Sequence, residues 1–400
     1  MDKSTLLLLK KEFEDELKSH ILDFWGREVY DSHRRTFFGR ITHDGLKDPE
    51  APLSAVFVTR IMWTFSAVYK LYPEELYKNI ADEAFRILQE TFWDSLNGGI
   101  YWSVLPNGKP VDTKKQFYAE AFFIYALAEY DAAFPQNRVK QLAHSMFMLL
   151  EKFGYDPEYD GYIEAMTDNW QDIEDQRLSP RELNVKKTMN THLHILEAYT
   201  HYYRVWKTEE SRNKLYHLIN LFLDKIIDPK RAHFRLFFDA DWTLRSGIDS
   251  YGHDIEGSWM LCEAAETLGD RELMEKVKRI ALKMSEVTRN EGFHETGGLY
   301  YEKENDTMLR QFDWWPQAES VVGFFNAWQL TGDEKFLKTS LRSWKFIRNY
   351  IVDRKNGEWH WGVSANLVPL EMDKINGWKS SYHNGRMCLE MIRRMNRMIL

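Results

Sequence analysis

Several features are scarce or missing in this chain, and each absence narrows the classes of protein to which it can belong. Its 400 residues include only two cysteines, Cys262 and Cys388, too few for a disulfide framework. Both lie in apolar helical stretches, so we expect buried, unreactive thiols. The N-terminal run of four leucines is too short for a signal sequence, and no later run is long enough to span a membrane. We therefore expect a cytoplasmic protein without a membrane segment.

An excess of positive charge is also lacking. The formal net charge is −8 at pH 7, which removes the electrostatic footprint expected of a nucleic-acid-binding protein. The sequence contains no Gly-rich dinucleotide motif, no phosphate-binding loop, no HExxH and no cysteine-rich metal spacing. These absences predict a protein that needs no cofactor and no metal, and whose partner is a neutral small molecule. We expect it to be a monomer.

Aromatic residues, by contrast, are abundant, and several of them mark an internal repeat. Aromatic side chains make up 15% of the chain, enough for a large core and for stacking surfaces. Six apolar helical stretches recur roughly every 60 to 75 residues, a period typical of repeat architectures. They are TRIMWTFSAVYKLY around Arg60, KQFYAEAFFIYALAEY around Tyr118, MNTHLHILEAYTHYY around His192, YGHDIEGSWMLCEAAETLGD around His253, WWPQAESVVGFFNAWQLTGD around Trp315 and SYHNGRMCLEMIRRM around His383.

A second series of short glycine and aromatic runs alternates with these helices. Each run has the composition of a tight pair of strands. The runs are TFFGRI at Thr36, GGIYWSV at Gly98, DGYIEA at Asp160, HFRLFF at His233, GGLYYE at Gly297 and GEWHWGV at Gly357. Two interleaved series with one period define a repeat of helix, loop, helix, loop.

The two helices of each repeat differ in their patterning. One is mostly apolar, as from Tyr118 to Tyr130, whereas its partner carries charge on one side, as from Glu272 to Val287. This difference predicts an inner ring of six buried helices inside six amphipathic ones. We therefore predict an all-α fold, an (α/α)6 barrel, as a single domain over residues 1–400, with short β-hairpins in the loops at one mouth.

If the inner helices run in the same direction, the residues near their N-terminal ends share one pocket at that mouth. Helix N-termini add a positive field there, which favours anionic intermediates. Three histidines are the candidates for proton transfer, because an ordinary imidazole pKa near 6.5 suits both acceptance and donation of a proton. The predicted pocket contains Arg60, Tyr118, His192, His253, Glu256, Trp315, Glu319, Trp378 and His383.

Local spacing refines this set. His253 and Glu256 are three residues apart, so the carboxylate can lie beside the imidazole on one helix face, either to orient it or as a plain surface contact. His192 and His194 point about 200° apart on a helix and cannot share a metal. We expect His194 to be packed rather than functional. Trp315 and Trp378 lie at helix entries beside proline or glycine, where a ring can stack on a sugar.

Six motifs together resemble the cellobiose 2-epimerases of the N-acylglucosamine 2-epimerase superfamily, over nearly the whole chain. They are RIMWTFS at Arg60, KQFYAEAF at Lys115, MNTHLH at Met189, YGHDIEGSW at Tyr251, DWWPQAE at Asp313 and YHNGRMCLE at Tyr382. The resemblance implies an (α/α)6 barrel. It also implies reversible inversion at C2 of the reducing-end glucose of a β-1,4-linked disaccharide, such as cellobiose and also lactose, without a cofactor.

The resemblance further implies roles for individual residues. His253 and His383 would carry the two proton transfers at C2 through a cis-enediol, while His192 would assist opening of the sugar ring or hold an oxygen. Arg60 would stabilise the developing oxyanion. The predicted substrate-binding residues are Arg60, Tyr118, Asn190, Glu256, Trp315, Glu319 and Trp378.

Other functions remain open at this point. An aldose-ketose isomerase, or an N-acylglucosamine or mannose 2-epimerase of the same superfamily, would use related chemistry. An α/α-barrel glycoside hydrolase would need two carboxylates, for which Asp254, Glu256, Asp313 and Glu319 are available. A sugar-binding protein without activity would explain the aromatic residues but not the histidines.

Overall fold

The computed structural model describes residues 1–305 and 307–399, and helices dominate it. The helices are α1 Lys3–Glu16, α2 Asp23–Glu28, α3 Ala55–Tyr69, α4 Glu75–Ile87, α5 Phe117–Ala133, α6 Asn137–Leu149, α7 Met189–Trp206, α8 Glu209–Leu221, α9 Tyr251–Leu268, α10 Arg271–Glu291, α11 Trp314–Thr331, α12 Glu334–Phe346 and α13 Tyr382–Ile399. A π-helical turn, Leu17–Leu22, joins α1 to α2. Four more such turns extend α4, α6, α8 and α12, respectively Leu88–Phe92, Leu150–Gly154, Phe222–Ile226 and Ile347–Ile351.

Two concentric rings are formed by these helices. In the inner ring α3, α5, α7, α9, α11 and α13 each contact the next, and α13 returns to contact α3. In the outer ring α4, α6, α8, α10 and α12 each pack on the inner helix that precedes them, while α1 packs on α13. The first helix of the chain is therefore the outer partner of the last. The predicted (α/α)6 barrel is confirmed.

The burial of each ring follows from its composition. In α5 every residue from Phe117 to Tyr130 is buried, because both faces of an inner helix meet protein. In α10 the buried positions Leu273, Val277, Ala281 and Met284 form one stripe with a spacing of three or four residues. Apolar side chains from both rings form one continuous core that extends from Leu6 to Met395.

Sixteen short strands, described within residues 1–305 and 307–399, lie in the loops. Five of their antiparallel pairings, β5–β6, β8–β9, β10–β11, β12–β13 and β15–β16, join the strand just before an inner helix to a strand from the following loop. Successive repeats are thus tied together at the mouth. The strands are β1 Tyr30–Asp31, β2 Thr36–Phe37, β3 Arg40–Ile41, β4 Lys47–Asp48, β5 Leu53–Ser54, β6 Ser103–Val104, β7 Pro110–Asp112, β8 Lys115–Gln116, β9 Ala165–Met166, β10 Lys187–Thr188, β11 Phe237–Phe238, β12 Ile248–Ser250, β13 Glu302–Glu304, β14 Thr307–Met308, β15 Phe312–Asp313 and β16 Gly362–Val363.

The six glycine and aromatic runs all take part in antiparallel pairs, as the sequence predicts. β2 of the first run pairs with β1, and the other five runs form single bridges at the end of an outer helix. These bridges join Trp93 to Ile100, Tyr155 to Tyr162, Ile227 to Phe234, Phe293 to Leu299 and Val352 to Trp359.

A polar side chain at the fourth residue of four inner helices holds the adjacent hairpin. In each case it accepts a hydrogen bond from a buried backbone N–H, which would otherwise lack a partner. The pairs are Glu120 Oε1 with Ile100 N (3.0 Å), His192 Nε2 with Tyr162 N (2.9 Å), Asp254 Oδ1 with Phe234 N (2.8 Å) and Gln317 Oε1 with Leu299 N (2.8 Å). We call this position the hairpin clamp.

The two cysteines and the lengths of the helices agree with the sequence analysis. Cys262 and Cys388 are both free and buried, as predicted. Among the described residues, no helix combines the length and apolar character that a membrane span requires.

Candidate active site

The N-terminal ends of the inner helices meet at the mouth that carries the strands. Tyr118, Asn190, Trp315 and His383 occupy the second position of their helices, and His253 occupies the third. The sixth position, one turn deeper, holds Arg60, His194, Glu256 and Glu319 on α3, α7, α9 and α11. The site therefore has two layers, an upper one at the mouth and a lower one that forms its floor.

His253 and His383 both pack against one indole in the upper layer. The ring centroid of Trp315 is 4.7 Å from that of His253 and 5.7 Å from that of His383. Trp315 and His253 are half-buried, whereas His383 is 6% exposed. The two imidazoles, which come from α9 and α13, thus converge on the same small space.

Each of these imidazoles is held through its Nδ1 atom. His383 Nδ1 donates to Glu319 Oε1 at 2.8 Å, and His253 Nδ1 lies 2.7 Å from Ser250 Oγ. A carboxylate on Nδ1 fixes the tautomer of His383, leaving its Nε2 as a proton acceptor. The orientation needed for proton transfer is therefore built in by groups on α11 and on β12.

Burial keeps both imidazoles neutral. It lowers the pKa of His253 to about 3, and it lowers the pKa of His383 well below 6.5 with help from the positive charges of Arg60 and Arg386. A positive charge on His194 would lower the pKa values of His253 and His383 further. His194 is therefore close enough to interact electrostatically with both rings. A neutral imidazole can accept a proton at pH 7, so either residue can act as a general base.

The floor of the site is a buried ion cluster around Arg386. Its guanidinium donates to Glu256 at 2.6 Å, to Glu319 at 2.7 Å and to Glu197. Burial raises the pKa of Glu256 to about 8, and Glu319 adds to this rise. Burial alone would raise the pKa of Glu197, but Arg386 and hydrogen bonds from His194 and Tyr382 bring it well below its usual value.

Glu256 and Glu319 were predicted to bind substrate, and the structure places both in this floor. Each is 1% exposed and each contacts Arg386. Glu256 also makes no hydrogen bond to His253, although their spacing allows one; Ser250 takes that place. The two carboxylates therefore support the upper layer, Glu319 by orienting His383, rather than reaching the mouth themselves.

Arg60, Tyr118 and Trp378 form a second group beside the histidines. Arg60 Nη1 donates to the backbone oxygen of Trp378 at 2.8 Å, and Nη2 donates to the Tyr118 hydroxyl at 3.0 Å. The half-buried indole of Trp378 lies 6.0 Å from the Tyr118 ring and 5.8 Å from that of Trp102. The structure thus brings these three predicted residues together. The half-buried Asn190 at the start of α7 has an Oδ1 atom without a hydrogen-bond partner among the described residues.

His192 does not join the site, and its predicted place there was wrong. It is 0% exposed, and both of its ring nitrogens contact backbone: Nδ1 lies 2.6 Å from Thr188 O, while Nε2 accepts from Tyr162 N. Burial lowers its pKa to about 4. His192 occupies the hairpin clamp position, so its role is to hold the loop at Tyr162.

His194 is the imidazole of α7 that faces the site, although the sequence had suggested simple packing. Its ring packs edge-on against Tyr118, with centroids 4.8 Å apart, and against Phe122. Its Nδ1 lies 3.0 Å from Glu197 Oε2. Counting from each helix start would have found it, because His194 shares the sixth position with Arg60, Glu256 and Glu319. The HxxE spacing to Glu197 is a second signal.

Glu256, Glu319 and His383 also form a set of donors with the composition of a metal site, their ligand atoms lying within 4.8 Å of one another. Arg386 Nη2 already donates to both carboxylates. The guanidinium therefore supplies the positive charge that these two acids require.

Comparison with known proteins identifies the family of this chain. The model of the N-acylglucosamine 2-epimerase (GlcNAc 2-epimerase) family matches residues 36–386. A cellobiose 2-epimerase of Bacteroides fragilis is 42% identical over 96% of this chain and 99% of its own length, and one of Dictyoglomus turgidum is 36% identical over 98% and 100%. The solved structure of cellobiose 2-epimerase from Bacillus thermoamylovorans superposes with a TM-score of 0.93 at 36% identity, covering 97% of this chain and 99% of that one. This chain belongs to the N-acylglucosamine 2-epimerase family.

Proposed function

We propose that this protein is a cellobiose 2-epimerase, which reversibly inverts C2 of the reducing-end glucose of β-1,4-linked disaccharides. The observation that carries the proposal is the pair of neutral imidazoles, His253 and His383, packed against the indole of Trp315. Inversion requires removal of a proton on one side of a carbon and its return on the other, and two bases on different helices suit that task. The identity to curated cellobiose 2-epimerases supports this choice of substrate class.

The proposed reaction begins with opening of the hexose ring, because only the open aldehyde makes the C2 proton acidic enough to remove. His194, whose Nδ1 is held by Glu197, would move the ring-opening proton between O1 and O5. One of the pair His253 and His383 then takes the C2 proton, which leaves a cis-enediol or its anion. The proton then passes from the first imidazole through the enediol oxygens, where it can exchange with solvent, to the second imidazole. That imidazole delivers it to the opposite face of C2, so both rings end neutral and no atom is gained or lost.

Positive groups around the site would stabilise the intermediate. The Arg60 guanidinium is fixed by its bonds to Trp378 O and Tyr118, so it can meet a developing oxyanion without reorganising. The N-termini of six inner helices add a field of the same sign. Trp315 and Trp378 offer half-buried indole faces to the two sugar rings.

A glycoside hydrolase is disfavoured by the way the carboxylates are used. Hydrolysis needs two acids that flank the scissile bond, one of them protonated. Glu256 and Glu319 both bind the same nitrogen of Arg386, and Asp254 is engaged by His233 and by Phe234 N. These three acids are therefore committed to structural contacts.

The experiment is incubation with cellobiose in heavy water, followed by NMR. We expect a mannose-ended disaccharide with deuterium at C2. A ketose product would instead indicate an aldose-ketose isomerase, and free glucose a hydrolase; either result contradicts the proposal.

Variants locate the chemistry. His253→Ala and His383→Ala should each abolish C2 exchange while keeping the circular dichroism spectrum of the parent. His217→Ala is the matched control, because this imidazole lies on the outer face of α8 against Asp160. Near-full turnover in either active-site variant would refute the assignment.

A further inference from the structure

A second cluster of chemically capable side chains lies outside the catalytic mouth, where the Ile227–Phe234 hairpin meets the start of α9 and the end of α10. The ligand atoms of His233, Asp249 and Glu291 lie within 4.8 Å of one another. His233 and Asp249 are 2% and 3% exposed, whereas the Glu291 side chain is 44% exposed. The cluster is thus buried on one side and reachable from solvent on the other.

Two polar atoms in this cluster lack a hydrogen-bond partner in the part of the chain that the structure describes. His233 Nε2 is buried and makes no hydrogen bond within the described residues; its nearest charged neighbour is Glu291 Oε2 at 3.5 Å. The Tyr251 hydroxyl, whose ring centroid lies 6.0 Å from that of His233, is also buried without a partner. Orphaned buried polar atoms are costly and call for a ligand.

The charge of the cluster is unbalanced. Asp249, Asp254 and Glu291 contribute three negative charges, and Arg231, which pairs with Asp249, contributes one positive charge. The carboxylates of the cluster therefore outnumber its one guanidinium, and a bound cation would meet an excess of acidic groups.

We propose that His233, Asp249 and Glu291 form a binding site for a divalent transition-metal cation such as Zn²⁺. One imidazole and two carboxylates are ligands that Zn²⁺ accepts at about 2.0 to 2.2 Å, and the Tyr251 hydroxyl or a water can supply a fourth oxygen. His233 Nδ1 lies 2.6 Å from Asp254 Oδ2, the carboxylate–histidine arrangement that orients a metal-binding imidazole. Nε2, which lies 3.5 Å from Glu291 Oε2, is then left with its lone pair free.

The site would act on the segment that carries His253. Asp249, Tyr251 and Asp254 flank Ser250, whose hydroxyl holds His253 Nδ1. A cation bound to the segment would tie β12 and the first turn of α9 to the end of α10. We therefore expect the ion to stabilise the fold around the catalytic histidine without entering the reaction.

The test is calorimetric titration of the untagged, chelator-treated protein with ZnCl2. We expect one saturable binding step and a rise in the melting temperature with the ion. Cobalt(II) should give visible absorption bands typical of a low-coordinate nitrogen and oxygen site. No saturable binding of either ion would overturn the proposal.

Variants assign the binding to this cluster. Glu291→Gln changes a half-exposed side chain, so the fold should survive, and it should weaken Zn²⁺ binding by about tenfold or more. Asp249→Asn should do the same, while Arg231→Gln removes a competing cation and should tighten binding. His217→Asn, which alters the exposed pair with Asp160, is the control and should leave affinity unchanged. Binding that is unaltered in Glu291→Gln would place the ion elsewhere, for instance at Glu256, Glu319 and His383, and would reject the inference.

Discussion

At the residue scale, the ionisation of His253 and His383 determines the pH range in which a general base is available. Burial lowers both pKa values, that of His253 to about 3. The neutral form exists above the pKa, so lowering the pKa extends the active range toward acid. An exposed histidine would lose its basic form below about pH 6.5.

The rate should therefore stay flat well below the ordinary histidine range. We expect kcat/KM for cellobiose to change little from pH 7 down to about pH 5, where an unperturbed imidazole would already be mostly protonated. Initial rates are to be measured only at pH values where circular dichroism shows an intact fold. An acid limb with its midpoint near pH 6.5 would mean that the bases are not the buried imidazoles.

The two histidines of α7 lie two residues apart and have different roles: His194 faces the site, whereas His192 holds the hairpin at Tyr162. His194→Ala should lower kcat by about 10²- to 10⁴-fold, the usual loss of a proton-transfer group. His192→Ala should leave the buried Tyr162 N–H without its acceptor and cost about 1–3 kcal/mol of unfolding free energy. Turnover of this second variant should remain near that of the parent.

Paired assays distinguish these outcomes. Epimerisation rates report the first effect, and denaturant or thermal unfolding reports the second. If His192→Ala were inactive yet fully stable, the assignment of His194 to the site would be wrong.

At the scale of elements, α9, the helix that carries His253, is held in position by close packing against the hairpin that contains Phe234. Gly257 allows this approach, since a Cβ atom there would overlap the ring of Phe234. The hairpin in turn is held by the clamp from Asp254 to Phe234 N. A glycine and a carboxylate one turn apart thus set the position of a whole helix.

Gly257→Ala should therefore destabilise the protein by about 1–3 kcal/mol or more, as overpacking does in a dense core. The matched control is Gly247→Ala, whose added Cβ would meet, within residues 1–305 and 307–399, only Asn305 Oδ1 at 3.6 Å. Thermal unfolding of both variants is the measurement. Equal melting temperatures would show that α9 can move away from the hairpin at no cost.

At the scale of the whole molecule, the barrel closes through contacts between the two ends of the chain. Glu16 on α1 accepts from Trp359 Nε1 at 2.7 Å, and Trp25 Nε1 donates to Glu358 at 2.8 Å. These residues are more than 330 positions apart in the sequence. The N-terminal helix is therefore part of the ring rather than an appendage.

Loss of one of these contacts should lower the free energy of unfolding of the whole protein. Glu16→Ala leaves the fully buried indole N–H of Trp359 unsatisfied and should cost about 1–3 kcal/mol. Glu16→Gln keeps an acceptor and should restore most of the stability, whereas Asp15→Ala, whose side chain is 62% exposed, serves as the neutral control. Unchanged unfolding of Glu16→Ala would argue against closure by α1.

The sequence by itself determined the repeat and the architecture. Six apolar helices, six amphipathic partners and six short hairpins are local patterns, and each was visible because helix period, turn residues and composition act over a few neighbouring residues. The motifs around His253, Trp315 and His383 likewise identified the residues that meet at the mouth.

Only the tertiary structure decided which side of each inner helix faces the axis. In α5 and α7 most residues are buried on all sides of the helix. The hydrophobic pattern therefore does not show which side faces the barrel axis, and it does not distinguish His192 from His194. Packing against the neighbouring helices determines the rotation of each inner helix about its own axis. The same holds for Arg386, whose partners Glu197, Glu256 and Glu319 come from three other helices and are brought to it only when the ring closes.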